Sequence, residues 1–294
     1  MRSIYIAIAI LCSVILPQSL SAQRFSQDST WTFDGNVSLN INQTAFSNWA
    51  SGGENAYGGN AQLNYSANYK KGKHILDNRI ELAYGLNYTE STGSRKTSDK
   101  IYLSSIYGYN IAKNLYLSSL VNFQTQFTNG YSYDSDSNRT LVSTFMAPGY
   151  LTIGGGLTWT PKEWFTATFT PATWREVFVL EDELSDAGSY GVDPGHRTIA
   201  EAGANLQMEV KKDIMKNVNL YSRLILFSNY LENPQNVDVN WEVQINMTIN
   251  KWLSAFITTN LVYDDDINII KDNGTIGPGL QFKESFGVGI QIKL

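Results

Sequence analysis

Late in the chain, apolar and polar residues alternate one by one. Val237, Val239, Trp241, Val243, Ile245, Met247 and Ile249 interleave with Asp238, Asn240, Glu242, Gln244, Asn246, Thr248 and Asn250. Successive side chains of an extended strand point to opposite faces, so this period of two makes a ribbon with one apolar and one polar side. The alternation recurs along nearly all of the chain beyond residue 34. In a soluble sandwich the apolar side would need a second layer, and no stretch shows the helical periodicity to supply one. A barrel whose outer face meets lipid needs no such layer. The pattern therefore predicts an all-β fold over residues 35–294: a transmembrane, antiparallel, up-and-down β-barrel of about twelve strands.

The strands fall near 35–45, 57–70, 74–90, 99–111, 114–128 and 148–160, then near 164–180, 198–210, 217–230, 236–249, 252–263 and 280–294. Twelve is an even number, as single-chain bacterial barrels use, and merging or splitting neighbours would give ten or fourteen. The connections alternate in length. Short ones lie at 71–73, 112–114, 161–163, 211–216 and 250–251; long ones run over 46–56, 91–98, 129–147, 181–197, 231–236 and 264–279. Outer-membrane barrels pair short periplasmic turns with longer outer loops, so this parity puts both termini in the periplasm and leaves residues 23–34 as a short periplasmic lead-in. Aromatic residues near strand ends fit interfacial girdles: Tyr65, Tyr69, Tyr84, Tyr88, Tyr107, Tyr109, Trp159, Trp164, Trp241 and Trp252.

The first 22 residues read as a secretory signal peptide. Arg2 precedes an apolar run from Ile4 to Leu16, followed by Pro17 and small residues up to Ala22. That run is too short for a membrane-spanning helix, and no later stretch reaches the ~18 apolar residues one needs. The only cysteine, Cys12, lies inside the signal, so no disulfide is expected in the mature chain. Leu11 stands before it where a lipoprotein would carry a small residue. Charged residues are only 17% of the chain against a usual share of about 25%, and aromatics are 13%. A net charge of −5 without clustered basic residues excludes nucleic acid as a partner on this reading.

The polar face of the strands then holds the chemistry. Parity directs Arg79, Glu81, Asn87, Asn205, Gln207, Glu209, Arg223, Asp238, Glu242, Gln244 and Lys283 toward the lumen. In a barrel of this size such residues either pair across the lumen and fill it or line a narrow aqueous path. Two functions follow: a narrow channel for small solutes, or a closed structural or accessory subunit of a larger envelope complex. Asp264, Asp265 and Asp266, with Asp186, Asp193 and Asp272 in the loops, could supply oxygen ligands to a cation, though no EF-hand spacing is present and a solvated loop kept hydrophilic is the favoured account of them.

Catalysis finds no constellation. The two histidines, His74 and His196, fall on opposite membrane sides, so no serine and histidine pair suggests itself. Neither Gly154-Gly155-Gly156 nor Ser51-Gly52-Gly53 carries the lysine and hydroxyl of a phosphate loop. The first lies within a strand, where small residues permit close backbone approach, and the second shapes an outer loop around Trp49. No cofactor is expected, and the expected partners are outer-membrane lipid and an envelope complex.

Several stretches carry a resemblance to a known family. These are Asn48 to Asn55, Leu184 to Gly195, Asp213 to Glu242 with Phe227-Ser228-Asn229-Tyr230-Leu231-Glu232-Asn233-Pro234-Gln235-Asn236, and Asn260 to Ile267. They resemble an uncharacterised family, a domain of unknown function, of outer-membrane barrels from Bacteroides-type bacteria. The resemblance implies location and architecture and brings no activity with it. The last strand, Leu280 to Leu294, resembles the amphipathic terminal signal read by barrel-insertion machinery, a further expected partner, but ends in Leu294 rather than an aromatic residue.

Overall fold

The computed structural model describes residues 30–46, 54–133, 138–271 and 275–294. The signal peptide, residues 23–29, the Asn48 to Gly53 part of the first long loop with Trp49, and Asp272 lie outside the described residues.

In chain order the strands are β1 (Trp31–Thr44), β2 (Ala56–Lys71), β3 (His74–Thr89), β4 (Gly93–Ala112), β5 (Leu115–Thr125), β6 (Gly130–Tyr133), β7 (Arg139–Ser143), β8 (Gly149–Lys162) and β9 (Phe165–Phe178). Helix α1 (Asp182–Asp186) and a 3-10 turn at Ser189–Gly191 follow. The chain continues with β10 (Thr198–Met215), β11 (Val218–Asn229), β12 (Asp238–Thr248), β13 (Leu253–Tyr263), β14 (Asn268–Ile270), β15 (Ile276–Pro278) and β16 (Gln281–Lys293). Twelve of these close into one antiparallel barrel in the order β1-β16-β13-β12-β11-β10-β9-β8-β5-β4-β3-β2. The pairs β6–β7 and β14–β15 are small separate hairpins inside two of the long connections.

Burial runs opposite to that of a soluble domain. Outward positions of β1 and β16 carry Phe33, Val37, Leu39, Ile41, Phe282, Phe286, Val288, Ile290 and Ile292, all exposed, and Phe286 keeps 69% of its surface. Inward positions bury Glu81, Asn205, Gln207, Arg223 and Glu242 to 7% exposure or less. At the short-turn end Trp31, Phe33, Tyr65, Tyr69, Tyr107 and Tyr109 form a belt over β1 to β4, with Trp31 and Tyr69 ring centroids 5.1 Å apart. His74 joins that belt, its Nδ1 2.7 Å from the Tyr107 hydroxyl. Aromatic rings with a polar handle suit an apolar-to-wet boundary.

Three departures from the sequence expectation share one cause. β1 starts at Trp31, inside the 23–34 stretch expected as a lead-in, and its first residues pair with β2, as Trp31 with Tyr69. β4 starts at Gly93, six residues before the expected 99, and β10 continues to Met215 through Lys211, Lys212 and Asp213, expected as a turn. Both extensions pair with their neighbours, as Asn87 with Arg95 and Asp213 with Asn219. Beyond the apolar band both faces of a hairpin are wet, so alternation ceases while the backbone ladder continues.

The long connections also build a small core that no period revealed. Ala147, Val179, Leu184 and Val192 are buried together, with Leu141, Tyr190 and Ile199 packed against them. Leu184 and Val192 belong to the 184–195 stretch. Burial pushes the Tyr190 hydroxyl up to about 12, and that hydroxyl donates to the Val142 carbonyl. Within the barrel wall, a Cβ on Gly156 would stand 1.9 Å from the Phe169 carbonyl oxygen, beside a register shift between Gly155 and Leu157. Strand β9 thus crosses β8 too closely for any other residue.

Barrel closure is uneven. β1 pairs with β2 over fourteen positions, from Trp31–Tyr69 to Thr44–Ala56. It pairs with β16 over five, Asn36–Lys293 to Asn40–Gly289. This seam is the shortest ladder in the wall.

Candidate functional site: an ionic bar across the lumen

Near mid-height, β3 directs Arg79 and Glu81 inward, β4 Lys100 and Tyr102, β10 Gln207 and Glu209, β11 Tyr221 and Arg223, and β12 Glu242 and Gln244. In the order of the twelve strands β3 and β11 stand six places apart, on opposite walls. Arg223 nevertheless reaches Glu81 with both ends of its fork, Nη1 donating to Oε1 at 2.7 Å and Nη2 to Oε2 at 2.9 Å. Nη2 also donates to Glu242 Oε2 at 2.7 Å. Lys100 Nζ bridges the same two carboxylates, 2.7 Å from Glu81 and 2.8 Å from Glu242. Arg79 extends the chain to Glu209 at 3.2 Å. Three cations thus face three carboxylates, a balance that satisfies the pairing buried charges require.

Aromatic and amide groups hold this bar in place. The Arg223 guanidinium lies 3.9 Å from the Tyr102 ring centroid, and that of Arg79 4.5 Å from the Tyr221 ring. Gln244 Nε2 donates to Glu242 Oε1, and Gln207 Nε2 to Glu209 Oε1, each at 2.7 Å. Asn122 Nδ2 of β5 donates in turn to Gln207 Oε1 at 3.1 Å.

Toward the long loops a second cluster lies on one wall. Arg175 of β9 pairs with Glu201 of β10 through Nε and Nη2, and with Asp238 of β12 at 2.7 Å. The Phe227 ring backs its guanidinium at 4.0 Å. Asp99, toward the long-loop end of β4, receives the Phe127 and Thr128 amides at 2.7 and 3.0 Å and Lys96 Nζ at 2.8 Å, which ties the β5–β6 connection to the rim. Lys283 Nζ donates to the Thr97 carbonyl at 2.7 Å.

The bar divides the lumen. On the long-loop side lies a cavity of about 360 Å³ whose lining includes Lys100, Tyr102, Arg175 and Asp238. On the short-turn side a cavity of about 660 Å³ is lined by Asp34, Arg79, Lys211 and Tyr221 among others. Asn64, Glu81 and Gln244 belong to both.

The structure brings seven sequence-selected residues into or directly against the bar: Arg79, Glu81, Gln207, Glu209, Arg223, Glu242 and Gln244. Asn205 is buried two residues from Gln207 on the same face, and Asp238 and Lys283 line the cavity on the long-loop side. Asn87 pairs in register with Arg95, above these contacts. Missed were Lys100, Tyr102, Tyr221, Asn122, Arg175 and Glu201. Strand parity was the available signal, because Tyr102 is in register with Glu81 and Tyr221 lies two residues from Arg223. Tyrosines in an alternating strand read as lipid-facing, which hid their inward direction.

The three loop aspartates have separate surroundings. Asp265 accepts from Asn236 Nδ2 and from the Tyr263 hydroxyl, while Asp264 Oδ1 accepts the Asp266 amide at 2.9 Å. Burial and the neighbouring Asp238 carboxylate raise Asp264 to about 7, against the opposing pull of Arg175. Asp266 is raised as well, first by burial and then by the Glu201 carboxylate. Among the described residues, no group of three or more His, Cys, Asp or Glu side chains is disposed to hold a metal ion. His196 lies in the connection before β10, at the opposite end of the barrel from His74, and its amide donates to the Asp193 carbonyl at 2.8 Å.

Among curated proteins none matches this chain. Among solved structures, the COG4313 outer membrane channel from Pseudomonas putida F1 is similar at 12% identity over 90% of this chain and 94% of that one, with a TM-score of 0.39. The translocator domain of the autotransporter NalP from Neisseria meningitidis is similar at 7% identity over 98% and 97%, with a TM-score of 0.37. The CymD monoaromatic hydrocarbon channel is similar at 7% identity over 90% and 87%, with a TM-score of 0.34. Residues 41–131, from within β1 to the start of β6, match a family described as "Protein of unknown function (DUF3078)".

Proposed function

We propose that this chain is an outer-membrane barrel sealed at mid-height, with its short turns and both termini in the periplasm, serving as a closed structural or accessory barrel of the envelope. One observation carries the reading: Arg223 and Glu81, from opposite walls, join at 2.7 and 2.9 Å. The exposed apolar face and the aromatic belt at the short-turn end support a lipid setting. The partners of this reading are outer-membrane lipid and the barrel-insertion machinery, with an envelope complex engaging the rim or wall.

The test is single-channel recording of the purified protein in planar bilayers, with heat-modifiable gel migration to establish that it is folded. Electrical silence of the folded protein is the expected result, and steady conductance would overturn the sealed reading. A narrow channel for small solutes is the second reading, favoured by polar cavities that meet the bar from both sides and share Asn64, Glu81 and Gln244.

A further inference from the structure

We propose that the long-loop half of the seam between β1 and β16 takes up an extended, amphipathic peptide strand that carries an acidic residue on its polar face and belongs to a different envelope polypeptide. Backbone hydrogen bonds show which residues face the seam. The Leu294 amide donates to the Gly35 carbonyl at 2.9 Å, so odd-numbered residues of β1 and even-numbered residues of β16 exchange hydrogen bonds across it. The Gln291 amide donates to the Trp252 carbonyl and the Lys70 amide to the Thr30 carbonyl, so the alternate residues bind the far neighbours, β13 and β2.

Carried on in register, the seam would set Ile41 against Val288 and Gln43 against Phe286, yet pairing stops at Asn40–Gly289. The strands are still in touch there, where a Cβ on Gly289 would lie 2.3 Å from the Leu39 carbonyl oxygen; for a Cβ on Gly287 the three nearest atoms all belong to the Phe256 ring of β13. Both strands nevertheless stay regular, with Gln43 paired to Tyr57 of β2, and Glu284 and Phe286 to Thr259 and Ile257 of β13. Gln43, Glu284 and Phe286 therefore hold backbone N–H and C=O groups toward the gap, and among the described residues no strand meets them. Ile41, Phe286 and Val288 are exposed apolar residues on the outer face, so the gap begins within the lipid-facing band. Backbone groups beside lipid need a protein partner, and two open strand edges form a template for an added strand.

The neighbours of the gap select the strand. Ile41, Phe286 and Val288 flank its outer side and Asn42, Lys283 and Ser285 its lumen side, so a matching strand alternates apolar and polar residues. Lys283 donates to the Thr97 carbonyl and, among the described residues, pairs with no carboxylate, whereas Arg79, Lys100, Arg175 and Arg223 all do. An acid on the polar face of the strand would meet it. A second copy of this chain offers no such acid, because the uncovered stretches turn Asn42 and Thr44 of β1 and Lys283 and Ser285 of β16 to the lumen side. The inference rests on the accessory-barrel reading and names the class of its partner. Bilayer recording tests the seal and peptide binding tests the seam, so either can fail without the other.

The experiment is fluorescence-anisotropy titration of the folded full chain in lipid nanodiscs. The probe is a labelled peptide about ten residues long, the length of a membrane-spanning strand, alternating valine and threonine with one glutamate among the threonines and kept monomeric by a polar tail. Two comparison peptides carry N-methyl groups on alternate backbone amides, or lysine in place of the glutamate. Saturable binding of the probe is expected, at least tenfold tighter than that of either comparison peptide. It should weaken at least tenfold in Glu284→Pro, which removes a gap-facing N–H, and stay unchanged in Glu284→Ala. Lys283→Gln should abolish the preference for glutamate over lysine. If Glu284→Pro does not fold, as read by heat-modifiable migration, the N-methylated peptide decides. Absence of saturable binding, equal binding of the N-methylated peptide, equal affinity in folded Glu284→Pro and Glu284→Ala, or a glutamate preference that survives Lys283→Gln overturns the proposal.

Discussion

Replacing Arg223 by alanine removes the group that joins the two walls. The side chain makes three charge-assisted hydrogen bonds, two to Glu81 and one to Glu242, and lies over Tyr102 at 3.9 Å. Of the three cations and three carboxylates, Arg223→Ala leaves two against three, a net charge of −1 at mid-height. Breaking a buried pair by deleting one partner costs about 3–5 kcal/mol. Lys100 still contacts both carboxylates at 2.7 and 2.8 Å and the cavities bring water nearby, so the lower end, about 3 kcal/mol, is expected. That is roughly a hundredfold in the folded-to-unfolded ratio. The variant also opens a path between the two cavities, so the silent barrel should conduct, with cation selectivity from the surplus carboxylate. Urea titration in detergent and bilayer recording measure the two effects. A double-mutant cycle with Glu81→Gln should return a coupling of at least ~1 kcal/mol. Additive effects of the two substitutions, together with a variant as silent and as stable as the parent, would refute the transverse bar.

Three other outcomes follow from particular contacts. Gly156→Ala places a Cβ 1.9 Å from the Phe169 carbonyl oxygen and should lower the yield of heat-modifiable barrel, whereas Gly155→Ala, with open space at that Cβ, should leave it unchanged. Asp264 is protonated in the folded chain up to a pH of about 7 but ionises near 4 when unfolded, so its contribution to stability falls as pH rises from 4 to 7 and stays low above. Asp264→Asn should therefore match the parent at pH 4 and exceed it at pH 8 by about 1–2 kcal/mol after allowance for screening, read from the pH dependence of thermal unfolding. In hydrogen exchange, those amides of Ile41 to Thr44 that point toward β16, beyond the five-pair seam, should exchange before the β16-facing amides of Asn36 to Asn40, while the amides that point toward β2 stay protected throughout; equal protection of the β16-facing sets would contradict the short ladder.

The alternation around Trp241 was enough to find β12, and the same period of two located every barrel strand, most within a few residues at each end. It also directed Glu81, Arg223 and Glu242 inward, because the face a side chain takes is settled by its own strand. The outward Ile41, Phe282 and Phe286 were legible for the same reason. The small core of Ala147, Val179, Leu184 and Val192 was not, since a compact loop cluster has no period to read.

Which inward residues meet is a different matter. Glu81 and Arg223 are 142 residues apart, and only closure of twelve strands at one diameter and stagger sets them face to face. Ten or fourteen strands with the same inward residues would have changed both their separation and their height. The direction of the Asn122 amide depends likewise on Gln207 and Glu209, from a strand 85 residues away for its nearest partner. The sequence by itself determined strand, face and charge, which follow from local backbone geometry. Tertiary structure alone decided that the lumen is crossed, because that depends on the circumference of the whole sheet and no segment carries it.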